Sequence, residues 1–60
     1  MKNHWLMLVY QVDFQKDGEW CALVVCDKYH AMKLFNERNE PTRIIVYHTH
    51  SKGKVIMEKF

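Results

Sequence analysis

Sixty residues leave room for one domain, and a chain of that size buries only about 60% of the surface its unfolded form exposes. A net charge of +2 is too mild to imply a polyanionic partner by itself. No stretch approaches the roughly 20 apolar residues of a membrane span, and Gln11 and Asp13 cut the apolar run Leu6 to Tyr10 short of a signal-peptide core.

Trp5 to Gln15 reads as the first strand. By period two, Leu6, Leu8, Tyr10, Val12 and Phe14 form an apolar face. The other face carries Trp5, Met7 and Val9 before Gln11 and Asp13, so its first half is apolar as well. A strand covered on one side only has no use for that second apolar row.

Lys16-Asp17-Gly18-Glu19 follows. Asp-Gly between apolar runs marks a tight hairpin, because the turn needs positive φ and glycine supplies it without a Cβ clash. Trp20 to Cys26 is then the second strand. A two-residue loop sets Phe14 against Cys21, Val12 against Leu23 and Tyr10 against Val25, all on the core side. A three-residue loop with a bulge would instead turn Trp20, Ala22 and Val24 inward. Asp-Gly favours the first register.

Asp27 reads as the N-cap of a helix running to Arg38. Ala31, Leu34 and Phe35 make its apolar side, with Met32 at the edge. Asn39 suits a left-handed residue after the last turn, and Pro41 blocks continuation. Arg43 to His50 reads as the third strand and Lys54 to Phe60 as the fourth, with Lys52-Gly53 as the turn. In that register Ile44, Val46, Val55 and Met57 share one face, and Ile45, Tyr47, Ile56 and Phe60 the other. The expected fold is α+β, a single ββαββ domain over residues 1–60 with one helix on a mainly antiparallel sheet.

Few groups are arranged for chemistry. His48 and His50 project from one face of a strand, the spacing of a metal pair, but no Cys-x-x-Cys or His/Cys knuckle completes a ligand set. Cys21 and Cys26 lie roughly 16 Å apart along an extended strand, too far for a bridge. They read as small buried hydrophobes without a basic cluster to activate a thiol. Free thiols and no export signal point to a reducing cytosol. No carboxylate pair, nucleophile elbow, phosphate loop or dinucleotide fingerprint is present. No cofactor is expected, and the expectation is a protein without catalysis of its own.

The acids are concentrated before Pro41, whereas Arg43, Lys52, Lys54 and Lys59 face only Glu58 after it. The C-terminal hairpin is thus the basic part, and Arg43, Lys52 and Lys54 are the candidates for phosphate contacts with nucleic acid. Surface aromatics are the usual anchors of protein interfaces. Trp20, Tyr29 and Tyr47, together with the basic hairpin, are the expected partner-binding groups. Trp5, Met7 and Val9, with Val24 and Cys26 alongside, are the expected homodimer interface, because a small thin sheet with two apolar faces calls for cover.

The Trp5–Cys26 hairpin, the Asp27 cap with Ala31 and Phe35 behind it, and the Thr42–His50 strand resemble the layout of small phage-encoded inhibitors of host enzymes. These include inhibitors of bacterial RNA polymerase and of uracil-DNA glycosylase. The resemblance implies a phage or mobile-element product that blocks a host or anti-phage defence protein. The fourth strand and the absence of a strongly acidic surface depart from the DNA-mimicking members. The combined expectation is a cytoplasmic protein-binding module; nucleic-acid binding through the basic hairpin and metal binding through His48 and His50 are the alternatives.

Overall fold

The computed structural model describes residues 8–48 and 52–60. Four strands and one helix follow in chain order: β1 (Leu8–Lys16), β2 (Glu19–Val25), α1 (Lys28–Glu37), β3 (Thr42–His48) and β4 (Lys54–Lys59). The strands form one antiparallel sheet in the order β2-β1-β3-β4. This is the α+β ββαββ domain expected from the sequence.

The first hairpin closes on two residues. Asp17 (φ 54°) and Gly18 (φ 83°) both take the left-handed backbone that a type I′ turn requires. Lys16 therefore pairs with Glu19, Phe14 with Cys21, Val12 with Leu23 and Tyr10 with Val25. That is the favoured register of the two. β1 continues on its other side to β3, where Tyr10, Val12 and Phe14 meet Val46, Ile44 and Thr42.

Asp27 starts α1 by accepting hydrogen bonds from the amides of Tyr29 (3.3 Å) and His30 (3.2 Å). The helix buries Ala31 and Phe35 against Tyr10, Val12 and Ile44, with Val25, Met32, Leu34, Val46 and Met57 packed around them. Val12, Ala31 and Ile44 are fully buried.

The helix ends differently from the expectation. Asn39 is not left-handed; Arg38 is the cap, in extended conformation. The free carbonyls are satisfied from far along the chain. Lys59 Nζ donates to Phe35 O (2.6 Å) and to Arg38 O, and lies 4.6 Å from the centre of the Phe35 ring. A cation from β4 thus stands at the negative end of the helix dipole, making a left-handed cap unnecessary.

The second hairpin also departs from the expectation. A turn at Lys52-Gly53 would set Ser51 opposite Lys54. Instead Val46 pairs with Lys54 and Ile45 with Val55, and the connection includes residues 49–51, which lie outside the described ones. Ile44 pairs with Met57, so Ile56 is an extra residue, a β-bulge. The bulge keeps Met57 under the helix and moves Val55 to the opposite face, beside Ile45. Phe60 lies past the strand and is 90% exposed.

The helix also covers less than its apolar content suggests. Cys21, Leu23 and Val25 face its side, yet Leu23 is 42% exposed. Ten helical residues span about 15 Å, and this rod sits mainly over β1 and β3. Cys26, expected to be buried, is exposed.

Two substitutions check how the helix is held. Asp27→Ala is expected to lower unfolding free energy by about 1 kcal/mol. Lys59→Met is expected to cost about 1–3 kcal/mol, since it removes a charged donor from two carbonyls. Urea titration followed by circular dichroism reads both, and equal stability of Lys59→Met and the unsubstituted chain would contradict the capping role.

Candidate functional site

Alternation along the strands decides what the side of the sheet away from α1 presents. Val9, Gln11, Asp13 and Gln15 come from β1, Trp20, Ala22 and Val24 from β2, Arg43, Ile45 and Tyr47 from β3, and Val55 and Glu58 from β4, Glu58 opposite Arg43. No described element packs over this side.

Its centre is polar, with both oxygens of the Asp13 carboxylate satisfied internally. Asp13 is buried at 7% exposure although it lies on the helix-free face. Gln11 Nε2 donates to Asp13 Oδ1 at 2.7 Å, and Arg43 Nε donates to Asp13 Oδ2 at 3.2 Å. The guanidinium also lies over the Trp20 ring, 4.5 Å from its centre. Asp13 on the central strand therefore holds a β3 arginine across a β2 indole.

Apolar groups surround that centre. Trp20 is 46% exposed, Val24 61% and Val55 46%, while Val9, Ile45 and Tyr47 are half-buried. Tyr47 is held by an unexpected contact. A Cβ on Gly53 would overlap the Tyr47 ring and stand 2.8 Å from Ile45 Cγ2. Gly53 does not adopt positive φ. Its role is to let the tyrosine ring lie against the backbone just before β4.

The expected partner-binding residues divide. Trp20, Arg43 and Tyr47 come together on the helix-free face. Lys54, paired with Val46, projects from the helix side, and Lys52 lies in the connection before β4. The basic groups thus do not share a face. Tyr29 stands on α1, 81% exposed, beside an open groove of about 390 Å³ lined also by Met32, Lys33, Asn36 and Glu37. Of the expected dimer residues, Val9 and Val24 lie on the same face as Trp20, and Cys26 follows β2 at an exposed position. Trp5 and Met7 lie outside the described residues.

The metal pair is half described. His48 is exposed at the end of β3, opposite Leu8, and His50 lies outside the described residues. Among the described residues, no group of three or more His, Cys, Asp or Glu side chains is placed to hold a metal ion. Among them, too, no helix is long and apolar enough to cross a membrane.

Sequence reasoning missed Asp13 and Val55. Asp13 reads only as a polar position after Val9 on the face opposite the core, and its role arises from β3 pairing thirty residues away. Val55 was assigned to the other face because a bulge leaves no mark in the local pattern.

No protein-family model, curated protein or solved structure matches the chain.

The Tyr47 contact has a direct check. Gly53→Ala is expected to lower stability by about 1–3 kcal/mol through overpacking and to shift the Tyr47 ring resonances. Unchanged stability and unchanged ring signals would contradict the close approach.

Proposed function

We propose that this protein is a non-enzymatic binding module that grips another protein on the helix-free face of its sheet. The observation that supports this most is the composition and exposure of that face. Trp20, Val24 and Val55 are exposed around a fixed arginine, with Tyr47 and Ile45 alongside. Trp, Tyr and Arg are the residues that dominate binding energy at protein interfaces.

The arrangement suits recognition in a second respect. Arg43 is tethered through Nε, so its η nitrogens are presented in a set orientation to an acceptor on the partner. A side chain already ordered by Asp13 and Trp20 loses less entropy on binding. The layout resemblance to phage-encoded inhibitors supplies the consequence: occupation of a host or defence protein, in the reducing cytosol, so that its own ligand is blocked.

The test is affinity capture from a bacterial host lysate. The pair Trp20→Ala and Val55→Lys is expected to keep the circular dichroism spectrum and to weaken capture of the specific partner by at least about tenfold, given about 1.4 kcal/mol per decade. Tyr29→Ala, on the helix, is expected to leave capture unchanged. Equal capture by the double variant and the unsubstituted chain would overturn the assignment of the face.

A further inference from the structure

The two edges of the sheet are built differently. β4 carries Lys54, Glu58 and Lys59 and is interrupted by the bulge at Ile56. Charges and bulges are the devices that keep an edge from pairing. β2, the other edge, reads Glu-Trp-Cys-Ala-Leu-Val-Val. It holds no lysine, no proline and no bulge against β1, and its one charge sits at its first residue.

The backbone phase of that edge follows from the turn. In a two-residue hairpin the pair flanking the loop, Lys16 and Glu19, exchanges both hydrogen bonds. Alternation then assigns Cys21, Leu23 and Val25 to β1 and aims the amides and carbonyls of Trp20, Ala22 and Val24 away from the sheet.

We propose that β2 pairs antiparallel with β2 of a second copy, about a two-fold axis at Ala22. Only outward residues can meet outward residues, so a register that sets an outward residue opposite an inward one is excluded. The register centred on Ala22 uses all three. Ala22 faces its own counterpart, and Trp20 and Val24 face the partner copy's Val24 and Trp20. That forms about six backbone hydrogen bonds.

The side chains agree with the backbone. Cys21 comes opposite Leu23 of the partner copy on the helix side, covering a leucine that α1 leaves 42% exposed. On the other side Trp20 lies against Val24, exposed at 46% and 61% in the single chain. Glu19 meets Val25, so no like charges oppose one another within the paired strands. Centring one residue later, on Leu23, would set Glu19 against Asp27. Both helices then lie on one side of a sheet of twice four strands, and the two helix-free faces join.

This goes beyond the binding reading, because it adds a second surface and names its occupant. It also redistributes the residues expected for the two roles: Trp20 joins Val24 at the seam between copies, and Val9 stays with Tyr47 on the binding face. Pairing through the edge leaves Val9, Ile45, Tyr47 and Val55 uncovered for a partner.

The test needs no partner protein. Sedimentation equilibrium of the full chain is expected to give twice the 7.3 kDa mass of one copy. With Cys21→Ser and Cys26→Ser as background, Ala22→Cys is expected to form a disulfide-linked dimer on mild oxidation, since Cα atoms of a hydrogen-bonded pair lie about 5.5 Å apart. Val24→Cys in the same background is expected to remain unlinked. On the unsubstituted chain, exchange at the amides of Trp20, Ala22 and Val24 is expected to slow as concentration rises, which keeps the test independent of the variants' folding. A monomer across the concentration range would overturn the proposal. So would a dimer with no concentration-dependent protection at those amides, or one in which Ala22→Cys links no better than Val24→Cys. Val55 lies across the sheet from β2, so capture by Val55→Lys judges the binding face separately.

Discussion

One ten-residue helix has to cover four strands. About 15 Å of helix seals Val12 and Ile44 beneath Ala31 and Phe35, and this small cluster is the core of the domain. The same rod falls short of Leu23 at one edge and does not reach the opposite side of the sheet. The exposure of Leu23 follows from that shortage. Trp20, Val24 and Val55 are exposed for a different reason: they lie on the side of the sheet that no described element covers.

Contacts between distant side chains tie the elements together. Lys59 reaches from the last strand to the carbonyls of Phe35 and Arg38 and covers the Phe35 ring. One side chain therefore satisfies a helix terminus, anchors an edge strand and shields an aromatic. On the opposite side Asp13, Arg43 and Trp20 link β1, β3 and β2 in the same manner. The first contact ties β4 to the helix, and the second ties β3 to the hairpin and gives the helix-free face a defined shape.

The parts of this arrangement that could be read from the sequence are those with local causes. Asp17-Gly18 sets the first register through backbone conformation alone, and Asp27 caps the helix with its own side chain two and three residues on. Ala31 and Phe35 emerge from helical spacing. Contacts between distant segments left no comparable mark. The helix C-terminus looked like a left-handed Asn39 because its true cap is more than twenty residues away. The last strand was misregistered because the Ile56 bulge and the packing of Tyr47 on Gly53 depend on the sheet being assembled. For the same reason the expected interface residues were divided among a face, an edge and a helix, and Asp13 was overlooked. Trp5, Met7 and His50 fall outside the described residues.

The central claim is that the helix-free face is uncovered in the chain by itself. Residue-resolved paramagnetic relaxation from a soluble, inert probe measures that most directly. In dilute solution the Trp20 indole and the Val24 and Val55 methyls should relax strongly, while the Val12 and Ile44 methyls stay protected. Protection of Trp20, Val24 and Val55 equal to that of Val12 and Ile44 would mean that the chain already covers this face, and would contradict the account.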